Sequence, residues 1–410
     1  MRAAGLIAEC NPFHYGHARL IAQMRASGAE SIVAVMSGNF VQRGEPALLC
    51  DRRRAEAALR CGVDLVLQLP VPYALSGAQR FARAGVAALA ALGCVETLWF
   101  GSECGDLALL QKAAALTEDA AIRPALRAGL DRGLPFAAAR EAAVRGIDPA
   151  AADVLQGPNN NLAVDFLRAL AEIGGMEPRT IRRAGAAHDA AAPVAGEASA
   201  SAIRALLIAG EDWQPYLPSA SAAVLTAAIE AGEAPVTPSA FDGIALAMLR
   251  LLPDLTANAP DCAEGVERRL VAAAQSATSI EALLTAAKTK RYPLARLRRL
   301  LWTALIGITE ADAAGPVQYL RPLGFTPAGA ALLAETRGKT ALPLLAKPAD
   351  LAALSSQAQR QFALECRAGD LYALGQPIPG SAGAQKQMTP VVLEERPVFS
   401  GNSPELSKQL

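Results

Sequence analysis

The stretch Gly5–Ala22, GLIAECNPFHYGHARLIA, constrains the fold more than any other part of the chain. An apolar run at Leu6, Ile7 and Ala8 stops at Glu9-Cys10-Asn11-Pro12, and His14-Tyr15-Gly16-His17 then leads into a helix-like run. This pattern predicts a strand, a sharp turn and a helix N-terminus, with two imidazoles one turn apart at the junction. The 410-residue chain has three histidines, and two of them lie here. A helix N-terminus leaves backbone N–H groups unpaired and carries partial positive charge, so it attracts phosphate. Gly16 lets the backbone approach a ligand closely, and Pro12 fixes the chain entering the turn. His14 and His17 add donors where charge builds on a departing pyrophosphate. The structural alternative is one histidine capping the helix and the other on the surface.

The elements that follow alternate. Ser31–Met36 reads as a second strand, Asp64–Leu69 as a buried strand closed by Pro70, Gly77–Leu92 as a helix and Val95–Phe100 as a further strand. Strands alternating with helices at this spacing imply an α/β fold with a parallel sheet, and such sheets bind ligands in the loops at their carboxyl ends. Asn39, Gln42 and Arg43, in the polar segment after the second strand, are therefore candidate substrate contacts, although Arg43-Gly44-Glu45-Pro46 also reads as an ordinary surface turn. Asp51 suits a helix cap, and Arg52, Arg53 and Arg54 read as a solvated face. Asp106 to Arg145 reads as helical. Gly101, just past a strand end, suits close approach to a base or ribose. Asn159, Asn160 and Asn161 read first as N-caps and second as partners for adenine or ribose. Ser201 and Arg204, at another helix start, form either a second anion site or a plain serine cap with a surface arginine.

Several segments together resemble one family. His14-Tyr15-Gly16-His17 matches the HxGH signature of the nucleotidyltransferase superfamily. GLIAECNPFHYGH, MSGNFVQRGEPA, FGSE, GPNNNLAVDFLRAL, TIRRAGAAHD and SASAIRALL, in that order, resemble the bacterial tRNA(Met) cytidine acetate ligases over roughly the first half of the chain. The resemblance implies a Rossmann-like domain that activates acetate with ATP as acetyladenylate. It then implies acetylation of N4 of the wobble cytidine of elongator tRNA(Met), with Mg²⁺ as a companion of ATP. The implied ATP site comprises Ile7, Ala8, Glu9, Cys10, Asn11, Pro12, Phe13, Tyr15, Gly16, Leu20, Gly101, Asn159, Asn160, Arg183, Ala184 and Ser201. His14, His17 and Arg204 carry the catalytic role. Cys10 stands where the family commonly has tyrosine, Asn161 where an aliphatic residue is usual, and the segment before His188 lacks an aromatic residue. These departures bear on ATP and acetate contacts and remove no phosphate ligand.

The pattern changes beyond about Gly210. Periodicity predicts helices at 241–252, 262–274, 280–287 and 294–306, hence a nucleotidyltransferase domain over 1–210, a mainly helical domain over 211–380 and a tail over 381–410 with one added strand at 391–393. Lys288–Arg299 holds six basic residues and no acid, against a formal net charge of zero for the whole chain. Lys288, Lys290, Arg291, Arg296 and Arg299 are expected to meet tRNA phosphates and Tyr292 to stack on a base, the alternative being a solvated helix face. The seven cysteines show no CxxC spacing and read as reduced. There is no apolar run long enough for a bilayer and no signal-like start, so the expectation is a soluble cytoplasmic enzyme with no membrane or protein partner implied. The other readings are a small-molecule adenylyltransferase, a class I aminoacyl-tRNA synthetase lacking its lysine loop, and a non-catalytic nucleotide-sensing RNA-binding protein.

Overall fold

A computed structural model describes residues 2–183, 198–262, 265–387 and 389–395. Its centre is a seven-stranded sheet built from β1 (Ala3–Ala8), β2 (Ser31–Ser37), β5 (Leu65–Leu69), β6 (Val95–Ser102), β7 (Glu177–Arg182), β8 (Pro322–Phe325) and β9 (Val391–Val392), in the order β7-β6-β1-β2-β5-β8-β9. A two-stranded hairpin, β3 (Phe40–Val41) and β4 (Glu45–Pro46), stands off the end of β2. β1 pairs in parallel with both β2 and β6, and the chain runs outward from β1 in both directions. That makes the β1/β6 junction the switch point, where a parallel sheet opens a crevice for ligands.

The central strands are apolar runs, not alternating patterns, because helices cover both faces. Every residue of β2 and β5 is buried. On one face α1 (Tyr15–Ala26) and α2 (Asp51–Arg60) bring Ile21, Met24, Ala55 and Leu59 against Ile32, Met36 and Val66. On the other, the helix Ala78–Leu92 lies close to the sheet, since a Cβ on Gly85 would come within 2.7 Å of Ile7 Cδ1.

The four helices expected in the second half form at Asp242–Leu251, Val266–Ala274, Ile280–Ala287 and Leu294–Ile306, and the late strand forms as β9. The expected division at residue 210 does not coincide with a break in packing. β8 pairs antiparallel with β5, and β9 parallel with β8, so the sheet takes two strands from beyond that point. Phe40, Val71 and Leu75 also share a core with Phe241, Leu301, Trp302 and Tyr372, where the Phe40 and Trp302 rings are 5.2 Å apart. A four-residue strand containing proline and glycine carries no period of its own; the open edge of β5 makes it a strand. The 106–145 stretch is likewise broken, into Leu107–Glu118, Arg123–Asp131 and Phe136–Arg145.

The three consecutive arginines are not one solvated face. Arg52 is exposed and Arg53 pairs with Glu233 at 2.7 Å, but Arg54 is wholly buried. Its guanidinium donates to the carbonyls of Glu9, Ser37, Gly38 and Leu49, tying the ends of β1 and β2 to the start of α2. The helical turn carries position 54 inward on the side of Ala55 and Ala58. Nor does Asp51 cap α2: the cap position is Cys50, and Asp51 is buried as the first helical residue.

Candidate active site

The turn after β1 is held by its own imidazoles. His14 is the N-cap of α1, and its Nδ1 accepts the Gly16 N–H at 2.9 Å; the His14 N–H in turn donates to His17 Nδ1 at 3.2 Å. This is the reciprocal capping box made by two histidines in place of a hydroxyl and a carboxylate. The consequence is chemical. With Nδ1 committed as an acceptor, each neutral ring carries its proton on Nε2 and is a donor there. The rings lie 4.2 Å apart, and a Cβ on Gly16 would stand 2.6 Å from His14 Cε1, so this packing requires glycine. Burial, and then the positive charge of Arg183, push the His17 pKa down to about 3. His17 is therefore neutral throughout the physiological range. Cys10 is buried at a φ of 48°, and burial raises its thiol to about 12, so it packs the turn and is no nucleophile.

A cavity opens over this turn, lined among others by His14, Gly16, His17, Gly101, Arg183 and Tyr216. Gly101 and Arg183 come from the ends of β6 and the strand beside it, so the cavity sits at the switch point. Donors from a helix N-terminus and cations from Arg19 and Arg183 surround it, an arrangement that suits a polyphosphate.

The asparagines occupy the rim differently from the capping expectation. The helix Pro158–Ile173 is capped at Gly157, and the carboxylate of Glu103 accepts the N–H groups of Asn159 at 2.9 Å and Asn160 at 2.6 Å. Asn160 is buried, and its side-chain oxygen accepts from the backbone of Glu103 and Cys104. Asn161 bonds Arg140 at 2.7 Å. The pair Asn159 and Asn160 thus shapes the loop that follows Gly101. Glu103 is a missed residue; nothing local marks an acid that caps a helix more than fifty residues later in the chain.

On the opposite side the hairpin meets the helix Ala200–Ala209, which is capped by Ser199. Arg43 donates to Ser201 Oγ at 3.2 Å. Arg204 donates to the Asn11 carbonyl at 2.9 Å and to Glu45 at 3.0 Å. Arg204 and Ser201 therefore do converge on the first turn, joined by Glu45, which the sequence did not single out. The Gln42 backbone N–H donates to the Glu9 carboxylate. Asn39 is buried, and its side-chain oxygen accepts the Asp51 N–H at 2.8 Å, tying the end of β2 to the start of α2. Ala184 and the His188 loop lie outside the described residues.

The basic run divides. Lys288, Lys290 and Arg291 are exposed. Tyr292 is buried in the helical core with the Arg296 guanidinium 5.5 Å from its ring, so it is a packing residue and cannot stack on a base. Arg296 donates to the Asp261 carbonyl, and Arg299 is half-buried with an enclosed Nε that has no partner among the described residues. Leu294–Ile306 is amphipathic, so the same run that exposes its first cations turns the later ones inward. This helix abuts the active-site hairpin: a Cβ on Gly44 would stand 2.6 Å from the Arg299 nitrogen.

Sheet order, histidine turn and cation-rimmed cavity together define a nucleotidyl transferase. Residues 1–387 match the family described as HIGH Nucleotidyl Transferase. The chain is 42% identical over 375 residues to the tRNA(Met) cytidine acetate ligase of Syntrophotalea carbinolica, covering 88% of each, and 38% identical to that of Caldanaerobacter subterraneus subsp. tengcongensis, covering 91% of this chain and 95% of the other. The crystal structure of Thermotoga maritima TmcAL without ligand superposes with a TM-score of 0.90 at 29% identity over 96% of this chain and 100% of that one. A second form, bound with alpha-thio ATP, gives 0.89. The chain belongs to the tRNA(Met) cytidine acetate ligase family. Among the described residues, no helix is long and apolar enough to cross a membrane.

Proposed function

We propose that this enzyme activates acetate with ATP as acetyladenylate and transfers the acetyl group to N4 of the wobble cytidine of elongator tRNA(Met). The observation that carries this reading is the turn itself, where two histidines whose Nδ1 atoms accept backbone N–H groups, and so carry their protons on Nε2, line a cavity together with Arg183. A carboxylate oxygen attacks the α-phosphorus, pyrophosphate leaves, and no protein nucleophile is required. The chain supplies position and charge: His14 and His17 donate to oxygens on which charge develops, and Arg183 and Arg204 flank them. Gly101 and the loop fixed by Asn159 and Asn160 seat the nucleoside. Among the described residues there is no group of three or more His, Cys, Asp or Glu that could hold a metal. The described chain thus offers no cage for Mg²⁺, which characteristically binds nucleotide phosphates and keeps its waters. No step here depends on it.

The relatives' names give a tRNA as their substrate, and the exposed cations that precede the helix abutting the hairpin supply the contact. Lys288, Lys290 and Arg291 are assigned to the tRNA backbone, with Tyr292, Arg296 and Arg299 holding the helix that presents them. Replacing the three exposed cations by alanine is expected to raise the KM for tRNA at least about tenfold and to flatten the salt dependence of binding by about two to three ions. Filter binding across a salt series reads both; an unchanged slope would move the tRNA surface elsewhere. The activity is tested by incubating enzyme, ATP, acetate and tRNA and measuring N4-acetylcytidine by mass spectrometry. The product should require ATP and acetate together. ATP turnover with no acetylated tRNA would point to another acceptor.

A further inference from the structure

A base that is to be acetylated must leave its stack to reach a cavity at the switch point of a sheet, and the bases it parts from lose a neighbouring face. Proteins that hold single strands offset that loss with exposed aromatic rings. Tyr292 is buried and supplies none. Among the described residues every aromatic side chain but one is buried or half-buried, and the exception, Phe136, is 56% exposed. Leu130 and Leu134, 40% and 37% exposed, precede it in the same helical hairpin. Phe136 opens the helix Phe136–Arg145, which folds back on Arg123–Asp131 so closely that a Cβ on Gly129 would stand 2.9 Å from Ala139 Cβ.

This helical hairpin is fixed to the rim of the candidate active site. The Arg140 guanidinium lies over the Phe136 ring at 5.7 Å and donates to the Asn161 side-chain oxygen at 2.7 Å. Asn161 belongs to the first turn of the helix whose opening N–H groups hold Glu103, and Glu103 follows Gly101 of the cavity by two residues. A continuous line of contacts therefore sets the ring at the carboxyl end of β6, on the side of the sheet where the cavity opens. Charge selects the occupant. Arg123, Arg127 and Arg132 are exposed, none is in an ion pair among the described residues, and the stretch from Arg123 to Phe136 holds one acid, Asp131. The three apolar side chains together expose on the order of 200 Å², well short of the roughly 800 Å² that each partner gives to a standard protein interface. A second copy of the chain would also bring like arginines together. A single nucleic-acid strand needs both features at once, cations for its phosphates and an aromatic face for its bases. We propose that this helical hairpin receives the anticodon loop, with a base beside the wobble cytidine stacked on Phe136 and loop phosphates on Arg123, Arg127 and Arg132, an assignment that rests on the function proposed above.

The test uses the full-length enzyme and an elongator tRNA(Met) transcript. Phe136→Ala is expected to raise the Kd for the transcript, and its KM in acetylation, about ten- to a hundredfold. Acetate-dependent pyrophosphate exchange without tRNA should stay within about twofold of wild type. Phe136→Tyr keeps a ring and should bind within about threefold of wild type, whereas Phe136→Leu, apolar without a π-face, should behave as alanine does. A 2-aminopurine placed in the anticodon loop should be quenched on binding wild type and Phe136→Tyr, and not on binding Phe136→Ala. Binding by Phe136→Ala within about twofold of wild type would overturn the assignment. So would wild-type binding by Phe136→Leu, which would mark the patch as a protein contact, or a tRNA-free dimer that Phe136→Ala turns into a monomer. If wild type itself neither binds nor acetylates the transcript, the proposed function fails; if wild type acetylates it and Phe136→Ala does so equally well, only the assignment fails.

Discussion

Replacing His17 by alanine is expected to slow acetyladenylate formation about 10²–10³-fold, the usual cost of removing one donor from a site of developing charge. The loss should fall on kcat, because the Nε2–H bond strengthens as the α-phosphorus is attacked and adds little to ATP binding before that. His17 also closes the capping box through Nδ1, so alanine frees the His14 N–H and loosens the first turn of α1. His17→Asn separates these contributions, since its side-chain oxygen can cap while its reach toward the phosphates is shorter. The pH dependence follows from the pKa near 3. An ordinary histidine near 6.5 would gain charge on acidification through pH 6; His17 stays neutral, so the rate should show no limb from it there. Stability behaves oppositely to the usual carboxylate story in cause but not in sign. The unfolded histidine takes up a proton as pH falls below 6.5, the folded one only near 3, and stability is lost across that window. Steady-state rates and melts across the pH series would check both. An acid limb near 6.5 abolished by His17→Ala would contradict the assignment.

Arg54→Leu is expected to cost about 3–5 kcal/mol of stability, the range for breaking a buried polar network by deleting one partner. The side chain would fit, but the carbonyls of Glu9, Ser37, Gly38 and Leu49 would lose a shared charged donor in a buried site. Two of those carbonyls end the central strands, so the phosphate turn and the hairpin should loosen together. Chemical denaturation measures the loss, and acetyladenylate formation by the still-folded fraction measures the disorder at the site. A change under about 1 kcal/mol would mean that water replaces the guanidinium freely.

What could be read from the sequence was local. The strand, turn and helix at Gly5–Ala22 obey short-range rules, so β1, α1 and the paired histidines were legible from eighteen residues. The helices Ile280–Ala287 and Leu294–Ile306 follow from period alone. Properties set by distant partners were not legible. Nothing beside Pro322 shows that an open edge of β5 awaits it. The inward turn of Arg54 depends on which side of α2 meets the sheet, and the burial of Asn39 on where Asp51 lands. Tyr292 looked like a base-stacking residue because the run around it is basic, yet it sits in the bend before the helix Leu294–Ile306 and packs into the helical core. Glu45 and Glu103 were missed for the same reason, since their partners, Arg204 and Asn160, are far along the chain.

Transfer of adenylate to acetate at the histidine turn can be followed apart from acetyl transfer to tRNA. The most direct measurement is exchange of labelled pyrophosphate into ATP, with and without acetate, in the absence of tRNA. Exchange that requires acetate and collapses in His17→Ala is the predicted result. Exchange that proceeds without acetate, or that survives the substitution undiminished, would contradict the account.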